Sequence, residues 1–453
     1  MKTSPLSQIA EEIRGRLLGE GATVSSVAID SRMATTGSLF FAIVGEHVDG
    51  HGFVEEALRR GASAAVVSHT EGIAGPVILV ADTIEALTAL AAFDRRTSDA
   101  KVVGITGSSG KTTTKDLAAA VLRSRFEVQA SPGSYNNEIG LPLTLLGGGP
   151  GTEVVVCEMG SRGIGHIADL CRVASPDVGI VTNVGVAHME LFGSLENVID
   201  AKAELVESLA PNGTAIISAD DPVVRTFAGR TQARVITYGR SRDADVRAES
   251  LELSEGGFAR FDIVCERDRA ATELLIPGEH MVSNALAAAA AGVAFRIPLA
   301  EAAEALRKAQ ISSWRMETFV NANGVVVVND AYNANPMSMA AALKTARWIA
   351  RGSRMAAVLG TMAELGPVSN AEHERIGELA ARLGVERVIL VGEEAEAIAA
   401  AAIREGVEPE NVALYQDPDE ALGDVMSWAE SGDVVLFKAS RVVGLEKLAE
   451  AMR

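Results

Sequence analysis

The chain has 453 residues, with 41 Lys or Arg against 60 Asp or Glu and a formal charge of −19. That balance excludes a general nucleic-acid binder, which needs a basic excess or stripe, and no run of Lys or Arg here exceeds two residues. Hydrophobic residues at 48% exclude a disordered chain; aromatics at only 4% leave Ala, Val, Leu and Ile to build the cores, which suits helices packed on parallel strands.

At roughly 100 to 200 residues per domain, the length predicts about three domains. The first stretch, MKTSPLSQIAEEIRGRLL, meets charge before any apolar run forms, so no signal peptide is expected. An Ala-rich helix over 84–93 runs into polar DRRTSD at 94–99, the first expected boundary. Strand-like β-branched runs follow at Val102–Thr106, Val154–Glu158, Val178–Thr182 and Ala215–Ser218. Helices are expected at 112–122, 195–209, around residue 290, and at 299–309. The polar segment Arg240–Glu255 reads as an insertion or strand pair, with Gly256-Gly257 as its turn. A second boundary falls at Gln310–Ser313. Beyond it, further strands are expected at Val325–Asn329, Ala356–Leu359, Val388–Val391 and Val434–Phe437. Strands and helices in alternation indicate α/β units with parallel sheets, divided as residues 1–98, 99–312 and 313–453. The longest apolar run, Ala285–Phe295, is well short of the ~18 residues of a membrane helix, so no membrane role is expected. Cys157, Cys171 and Cys265 are odd in number and have no metal-ligand spacing, which points to a reducing compartment and a cytoplasmic protein.

The most informative stretch is Val102-Val-Gly-Ile-Thr-Gly-Ser-Ser-Gly-Lys-Thr-Thr-Thr-Lys115. An apolar strand, a loop of small residues and a helix start in that order present inward-turned N–H groups and a positive helix end to phosphate oxygens. Lys111 adds a full charge and Thr112 a hydroxyl for Mg²⁺. The common form of this loop requires Gly at 105, where Ile105 stands between Gly104 and Gly107; the TGxxGKTT form keeps every chemical ingredient. The alternative is an ordinary glycine-rich turn opening a helix.

Carboxylates near the ends of parallel strands are expected where a nucleotide phosphate needs a metal. Glu158 closes Glu153-Val-Val-Val-Cys-Glu158 in this way, and Asp330 closes Gly324-Val-Val-Val-Val-Asn-Asp330; either is also compatible with capping or a salt bridge. The loop after Val178–Thr182 holds Asn183, His188 and Glu190. His188 reads equally as a metal ligand or a packed loop histidine. In the 195–209 helix, Lys202 lies four after Val198 and three before Leu205, on the apolar face. Such a lysine either snorkels out or, desolvated, loses its charge and becomes a nucleophilic amine open to carbon dioxide.

Taken together, the chain resembles the Mur ligase family over nearly its whole length. The resemblance is carried by TGSSGKTTT at 106–114, CEMG at 157–160, TNVGVAHMELFGSLE at 182–196 with AKAE at 201–204, and PGEHMVSNALAA at 277–288. WRME at 314–317, NDAYNANPMS at 329–338, LGTMAELG at 359–366 and LFKASR at 436–441 complete it. DAYNANP, LGTMAELG and the segment Asn136-Asn137-Glu-Ile-Gly-Leu-Pro142 resemble the branch that adds D-alanyl-D-alanine to UDP-N-acetylmuramoyl-tripeptide; the DNPR motif of the sister ligase is absent. Three domains are implied: a small N-terminal α/β domain for the uridine nucleotide, a central P-loop-type domain with a mostly parallel sheet, and a C-terminal Rossmann-like domain for the incoming dipeptide.

The resemblance further implies that Gly107, Ser108, Ser109, Gly110, Lys111, Thr112 and Thr113 bind ATP, with Asn284 at the adenine and Arg315 and Asp330 reaching over from the third domain. Thr112, Glu158, His188 and a carbamylated Lys202 would hold two Mg²⁺ ions, and Lys111, His188 and Lys202 are the residues expected to serve the chemistry. Ser31, Arg32 and Asp49 resemble the uridine-diphosphate region. Asn136, Asn137, Asn333, Asn335, Glu364, His373, Lys438 and Ser440 are expected to position substrate; the last four each have a surface or capping reading as well. His166 stands where many relatives carry an acid, so that acid's role is not transferred; Arg162 or His166 is an alternative contact. The implied reaction passes through an acyl phosphate, with closure of the third domain about a hinge near residue 312. A monomer is expected. The rival readings are a folylpolyglutamate-synthase-like ligase, which begins almost directly with its nucleotide domain, and a nucleotide-binding switch that performs no ligation.

Overall fold

The computed structural model describes all 453 residues. The chain opens with two short segments, β1 (Ser4–Pro5) and β3 (Thr23–Val24), paired antiparallel, with β2 (Arg16–Leu18) between them. β2 joins β4 (Ser26–Ala28), β5 (Ser38–Phe41), β6 (Ala64–Val67) and β7 (Val77–Leu79) in a five-stranded sheet of order β2-β7-β6-β5-β4. All its pairs are parallel except β2 with β7. The runs Leu39–Phe41 and Ala64–Val67 are fully buried, as strands covered on both faces must be.

The helix Thr83–Thr97 starts where the Asp82 side chain accepts from the N–H groups of Ile84 and Glu85, a standard N-cap. It extends beyond the expected 84–93 through most of the polar stretch. Its apolar stripe lies against the helices Gly140–Leu146 and His166–Ala174, so one continuous core joins the first sheet to the second.

The central sheet has nine strands: β8 (Lys101–Thr106), β9 (Val128–Ala130), β10 (Val154–Glu158), β11 (Val178–Val181), β12 (Thr214–Ser218), β13 (Arg234–Gly239), β14 (Val246–Leu253), β15 (Phe258–Cys265) and β16 (Asp268–Pro277). Its order is β16-β15-β14-β13-β12-β11-β8-β10-β9. The seven strands from β14 across to β9 run parallel, and β15 and β16 extend the sheet antiparallel. The polar insertion is thus a strand pair turning at Gly256-Gly257. The third strand, β16, was not foreseen, because its alternation is broken by Asp268, Arg269 and Glu273. Helices Lys111–Leu122 and Met281–Ala294 pack together on one face. Gly140–Leu146, His166–Ala174 and Leu195–Glu207 cover the other.

The last sheet contains β17 (Glu317–Val320), β18 (Val326–Asn329), β19 (Met355–Gly360), β20 (Arg387–Val391), β21 (Val412–Tyr415) and β22 (Val434–Lys438), in the order β17-β18-β22-β19-β20-β21. Only β17 runs antiparallel to its neighbour. The connection from the helix Leu299–Lys308 is pinned at Ser312, whose N–H and Oγ both donate to Asp116 Oδ2 at 2.8 Å. No helix is long and apolar enough to cross a membrane. The three cysteines are unpaired, and burial pushes the Cys157 and Cys171 thiols up to about 12.

Candidate active site

The strands β8, β10, β11 and β12 present their carboxyl ends to a cleft of about 840 Å³, closed on the far side by the C-terminal sheet and its loops. An open parallel sheet binds ligands at this edge. The loop after β8 enters it first. Gly107 has φ 147° and Gly110 φ 78°; a Cβ on Gly107 would collide with Thr182 Oγ1, and one on Gly110 with Asn284 Oδ1. Both positions therefore require glycine. The loop is braced from β11: Ser109 N–H donates to Asn183 Oδ1 at 2.8 Å, and Asn183 Nδ2 donates back to Ser109 O at 3.1 Å. Asn183 is thus part of the cradle. Ser108 Oγ donates to Gly185 O at 3.0 Å, and Lys111 Nζ folds back to Gly107 O at 2.7 Å.

Behind the loop, Glu158 is buried at the end of β10. It accepts from Thr112 Oγ1 at 2.7 Å and from Asn136 Nδ2 at 2.8 Å. The second of the two sequence readings of Glu158, a cap or a salt bridge, fails: it pairs with no cation and caps no helix. Lys202 is only 2% exposed, and its Nζ donates to Ser161 Oγ at 2.6 Å; it does not snorkel. Burial, reinforced by the charge of Lys111, holds its amine well below the usual lysine range, against the opposing pull of Glu204. Burial also lowers Lys111, Glu158 opposing and Arg315 adding to the shift.

His188 has φ 54° and Glu364 φ 63°, both left-handed conformations that non-glycine residues adopt at a cost. The two side chains meet across the cleft, His188 Nδ1 on Glu364 Oε2, and Glu190 N–H donates to Glu364 O at 3.2 Å. That backbone bond lets the 188–192 turn and the 361–366 loop hold each other. Burial lowers the His188 imidazole despite its hydrogen bond to Glu364, with Lys111 and Lys202 pushing the same way as burial.

The third-domain wall carries Arg315, Asp330, Asn333, Asn335, Lys438 and Ser440, all lining the cleft. Arg315 Nη2 donates to Thr112 Oγ1 at 2.8 Å while its guanidinium lies 4.1 Å from the Tyr332 ring centroid. Asn335 caps the helix Pro336–Ile349 with Oδ1 and donates through Nδ2 to Ser108 O at 3.2 Å. Lys438 is buried and bonds Asp330 Oδ2 at 2.5 Å and Asn333 O at 3.0 Å. Ser440 Oγ accepts from Ala363 N–H at 2.8 Å, fixing the loop that carries Glu364.

Five expected substrate contacts do not join this cleft. His373 is fully buried; its Nε2 accepts from Met362 N–H at 2.9 Å and its Nδ1 sits 2.8 Å from Ser369 O, so it supports the loop from behind and has no face free for a ligand. Asn137 Oδ1 accepts from Gly140 N–H at 2.9 Å and serves as a cap. Ser31, Arg32 and Asp49 lie with the first sheet: Ser31 Oγ donates to Glu56 at 2.8 Å, Arg32 pairs with Asp30 at 2.7 Å, and Asp49 bonds His51 Nδ1 at 2.7 Å. Sequence reasoning missed Tyr332, Asp221 and His280. Asp221 follows β12 and accepts from Val184, Val223 and Val224 N–H groups, tying down the loop that leads to His188; its place just beyond a strand end was the available signal. His280 lines the cleft at the start of the helix Met281–Ala294, and burial lowers it to about 4.

The arrangement fits a nucleotide and a hard cation. Arg315 Nε is buried with no partner beside the phosphate loop, where a phosphate oxygen would satisfy it. The buried Glu158 carboxylate, already on the Thr112 hydroxyl, supplies oxygen donors of the kind Mg²⁺ takes.

Comparison with known proteins agrees with this geometry. Residues 105–292 match the Mur ligase middle domain, 314–441 the Mur ligase glutamate ligase domain, and 23–119 the Mur ligase family catalytic domain. The chain is 37% identical to the UDP-N-acetylmuramoyl-tripeptide–D-alanyl-D-alanine ligase of Mycobacterium tuberculosis, covering 99% of this chain and 97% of that protein. The Bacillus subtilis ligase of the same name is 36% identical, over 98% and 97% of the two chains. Among solved structures, MurF from Acinetobacter baumannii superposes with a TM-score of 0.89 at 28% identity, covering 100% and 99%. MurF ligase from Thermotoga maritima in complex with ADP gives 0.82 at 29%, covering 95% and 97%.

Proposed function

The chain belongs to the Mur ligase family, and from that premise we propose how it works as the ATP-dependent ligase that adds D-alanyl-D-alanine to UDP-N-acetylmuramoyl-tripeptide in peptidoglycan precursor synthesis. The observation that carries this reading is the cleft itself: a phosphate loop faces Arg315, Asp330 and Lys438 of the C-terminal sheet, in a chain whose near-full-length relatives bear that ligase name. The five-stranded sheet before residue 80 speaks against the folylpolyglutamate-synthase-like alternative, which lacks such a lead domain.

ATP lies with its phosphates over Ser108–Thr113. Gly107 and Gly110 let the backbone approach, and the N–H groups at the start of the helix Lys111–Leu122 face the charge. Lys111 leaves Gly107 O and turns to the phosphates, Arg315 satisfies its free Nε there, and Asn284 meets the adenine. Thr112, Glu158, His188 and Lys202, the last as its carbamate, are the residues that would hold two Mg²⁺ ions, whose contribution is to neutralise the charge of triphosphate and carboxylate. The buried, depressed amine of Lys202 supports the carbamate, because only the neutral form attacks carbon dioxide.

The terminal carboxylate of the tripeptide attacks the γ-phosphorus, forming a carbon–oxygen–phosphorus link and releasing ADP. The free amine of D-alanyl-D-alanine then attacks the acyl carbon, and phosphate leaves as the amide forms. Such transfer rests on positioning and charge stabilisation. Residues 1–98 hold the uridine nucleotide, through Ser31, Arg32 and Asp49; 99–312 hold ATP; and 313–453 hold the dipeptide, with Asn333, Asn335, Glu364, Lys438 and Ser440 on its side of the cleft. The chain's use of ATP and a uridine nucleotide supports a cytoplasmic site of action.

The test is phosphate release from ATP with UDP-N-acetylmuramoyl-tripeptide and, in turn, D-alanyl-D-alanine, D-glutamate, lysine and 2,6-diaminopimelate as acceptors. Release is expected with D-alanyl-D-alanine alone. Release with another acceptor overturns the assignment, and ATP binding with no release overturns ligation altogether.

A further inference from the structure

Six basic side chains line the cleft: Lys111, His188, His280, Arg315, Lys438 and Arg441. Five of them are accounted for. Lys111 and Arg315 stand at the phosphate loop, Lys111 with its Nζ on Gly107 O and Arg315 with its Nη2 on Thr112 Oγ1. Burial disfavours the charged form of both His188 and His280. Lys438 is buried, and its ammonium has three hydrogens to give; Asp330 Oδ2, Asp330 O and Asn333 O take them at 2.5, 3.3 and 3.0 Å. It has none left for a ligand.

Arg441 is the sixth. It lies just past the carboxyl end of β22, at the edge where a parallel sheet meets its ligands, and opens the short turn Arg441–Val443. Its guanidinium carbon is 4.4 Å from the centroid of the Trp314 ring and 5.9 Å from that of Tyr332, the ring on which Arg315 also lies at 4.1 Å. Nη1 meets Glu446 Oε1 at 3.1 Å, and no hydrogen bond engages Nε or Nη2. The side chain stays 49% exposed. An aromatic face and one carboxylate thus hold the guanidinium in place and leave one edge of its fork free.

We propose that Arg441 binds the terminal carboxylate of the incoming dipeptide, and that this contact makes a free carboxylate a requirement for the acceptor. This rests on the ligase reading above. The dipeptide carries one anionic group, and on its side of the cleft Arg441 is the cation with donors to spare. Its amine must reach the acyl phosphate beside Arg315 and the phosphate loop, and an extended dipeptide spans roughly 7 Å. Arg315 and Arg441 share the Tyr332 ring, so a chain of that length can run from one to the other. A planar fork of N–H donors matches a carboxylate in shape as well as charge. The residue before it, Ser440, accepts from Ala363 N–H at 2.8 Å, so the turn that carries Arg441 also fixes the loop of Glu364.

The experiment measures phosphate release by the full chain with ATP and UDP-N-acetylmuramoyl-tripeptide, comparing D-alanyl-D-alanine with its C-terminal amide, which keeps the amine and both methyl groups but not the negative charge. The amide is expected to have a KM about tenfold higher, the scale of one hydrogen bond to a charged group. Arg441→Ala should raise the KM for D-alanyl-D-alanine about tenfold and leave the KM values for ATP and tripeptide as they were. It should hardly change the KM for the amide, because the two alterations remove the same contact. Arg441→Lys should recover part of the loss. Arg441→Gln keeps the side-chain stem against Trp314 and gives the same reading should Arg441→Ala unfold. Equal KM values for the two acceptors in the unaltered chain, an Arg441→Ala loss of equal size on both, no loss on either, or a matching rise in the KM for ATP would overturn the contact alone. No release by the unaltered chain with D-alanyl-D-alanine overturns the ligase reading and the contact together.

Discussion

The two walls of the cleft are built differently. On the central-sheet wall the polar side chains are bonded to one another before any ligand arrives: Thr112 and Asn136 on Glu158, Asn183 on Ser109, Ser161 on Lys202. Its backbone conformations are fixed by Gly107 and Gly110 and by close packing against Thr182 and Asn284. The third-domain wall is also ordered internally, through Lys438 with Asp330 and Asn333. It meets the first wall, however, by a few individual bonds, Arg315 to Thr112, Asn335 to Ser108 and Glu364 to His188. The difference teaches that one wall is tied together by its own side chains and the other is joined to it by a few single contacts, so substitutions on the two should fail in different ways. On the first wall the chemistry itself should suffer; on the second, the assembly of the closed cleft.

The largest effect is expected on the first wall. Lys202→Ala should lower kcat roughly 10³-fold, at the upper end of what losing one charge-stabilising group costs, with partial rescue by short-chain carboxylates and little change in the KM for ATP. Full activity in this variant would refute the carbamate. The next concerns His280, which starts a first-wall helix and faces Asp330 and Lys438 across the cleft, with Glu279 beside it. Burial lowers it to about 4 from 6.5, so above pH 6.5 it is neutral in both folded and unfolded chains. Between pH 6.5 and 4 the unfolded chain takes up a proton that the folded one refuses, and stability falls as pH falls. The shift corresponds to about 3 kcal/mol. Urea unfolding at about pH 7 and about pH 4.5 should show a shallower loss for His280→Gln than for the unaltered chain; equal slopes would remove His280 from the acid response. Arg315→Ala, on the second wall, should lower kcat by roughly 10²-fold and also raise the KM for ATP, since it removes both a bond to the loop and a donor waiting for phosphate.

The first wall was legible in the sequence because its constraints are local. TGSSGKTT joins a strand end to a helix start within a single short stretch, and the register of Val154–Glu158 sets Glu158 at the sheet's carboxyl edge. Lys202 declared itself by standing on an apolar helical stripe, and the structure buries it there. Apart from Asp330, read as a strand-end carboxylate, the second wall was named through motif resemblance. His373 in the third domain and Asn137 in the central one have side chains taken by backbone groups, Met362 N–H and Gly140 N–H; sequence spacing does not show which way a side chain turns. Asp221 escaped notice because its partners, Val184 among them, come from a different strand connection. The strand β16 went unseen because an antiparallel edge exposes one face, and its charges at 268, 269 and 273 read as loop. The helix Thr83–Thr97 was placed with the first domain on sequence order, whereas its stripe is buried against helices of the second.

The smallest effect tests how the second wall finds its place. Ser312 lies in the connection between the walls, and both its N–H and its hydroxyl donate to Asp116 Oδ2 on the helix that begins with Lys111. The helix that begins with Lys111 therefore also holds the connection to the second wall. Asp116→Ala removes the two bonds from Ser312, worth about 1 kcal/mol, and also the ion pair with the buried Lys115 at 2.9 Å; it should lower kcat by about fivefold or more without moving the KM for ATP, because the phosphate loop keeps its Asn183 brace. A matching rise in the KM for ATP would mean that Asp116 supports the loop rather than the hinge. An unchanged kcat would mean that Arg315 and Asn335 alone suffice to set the closed position, and that the second wall needs no guide beyond the contacts it makes on arrival.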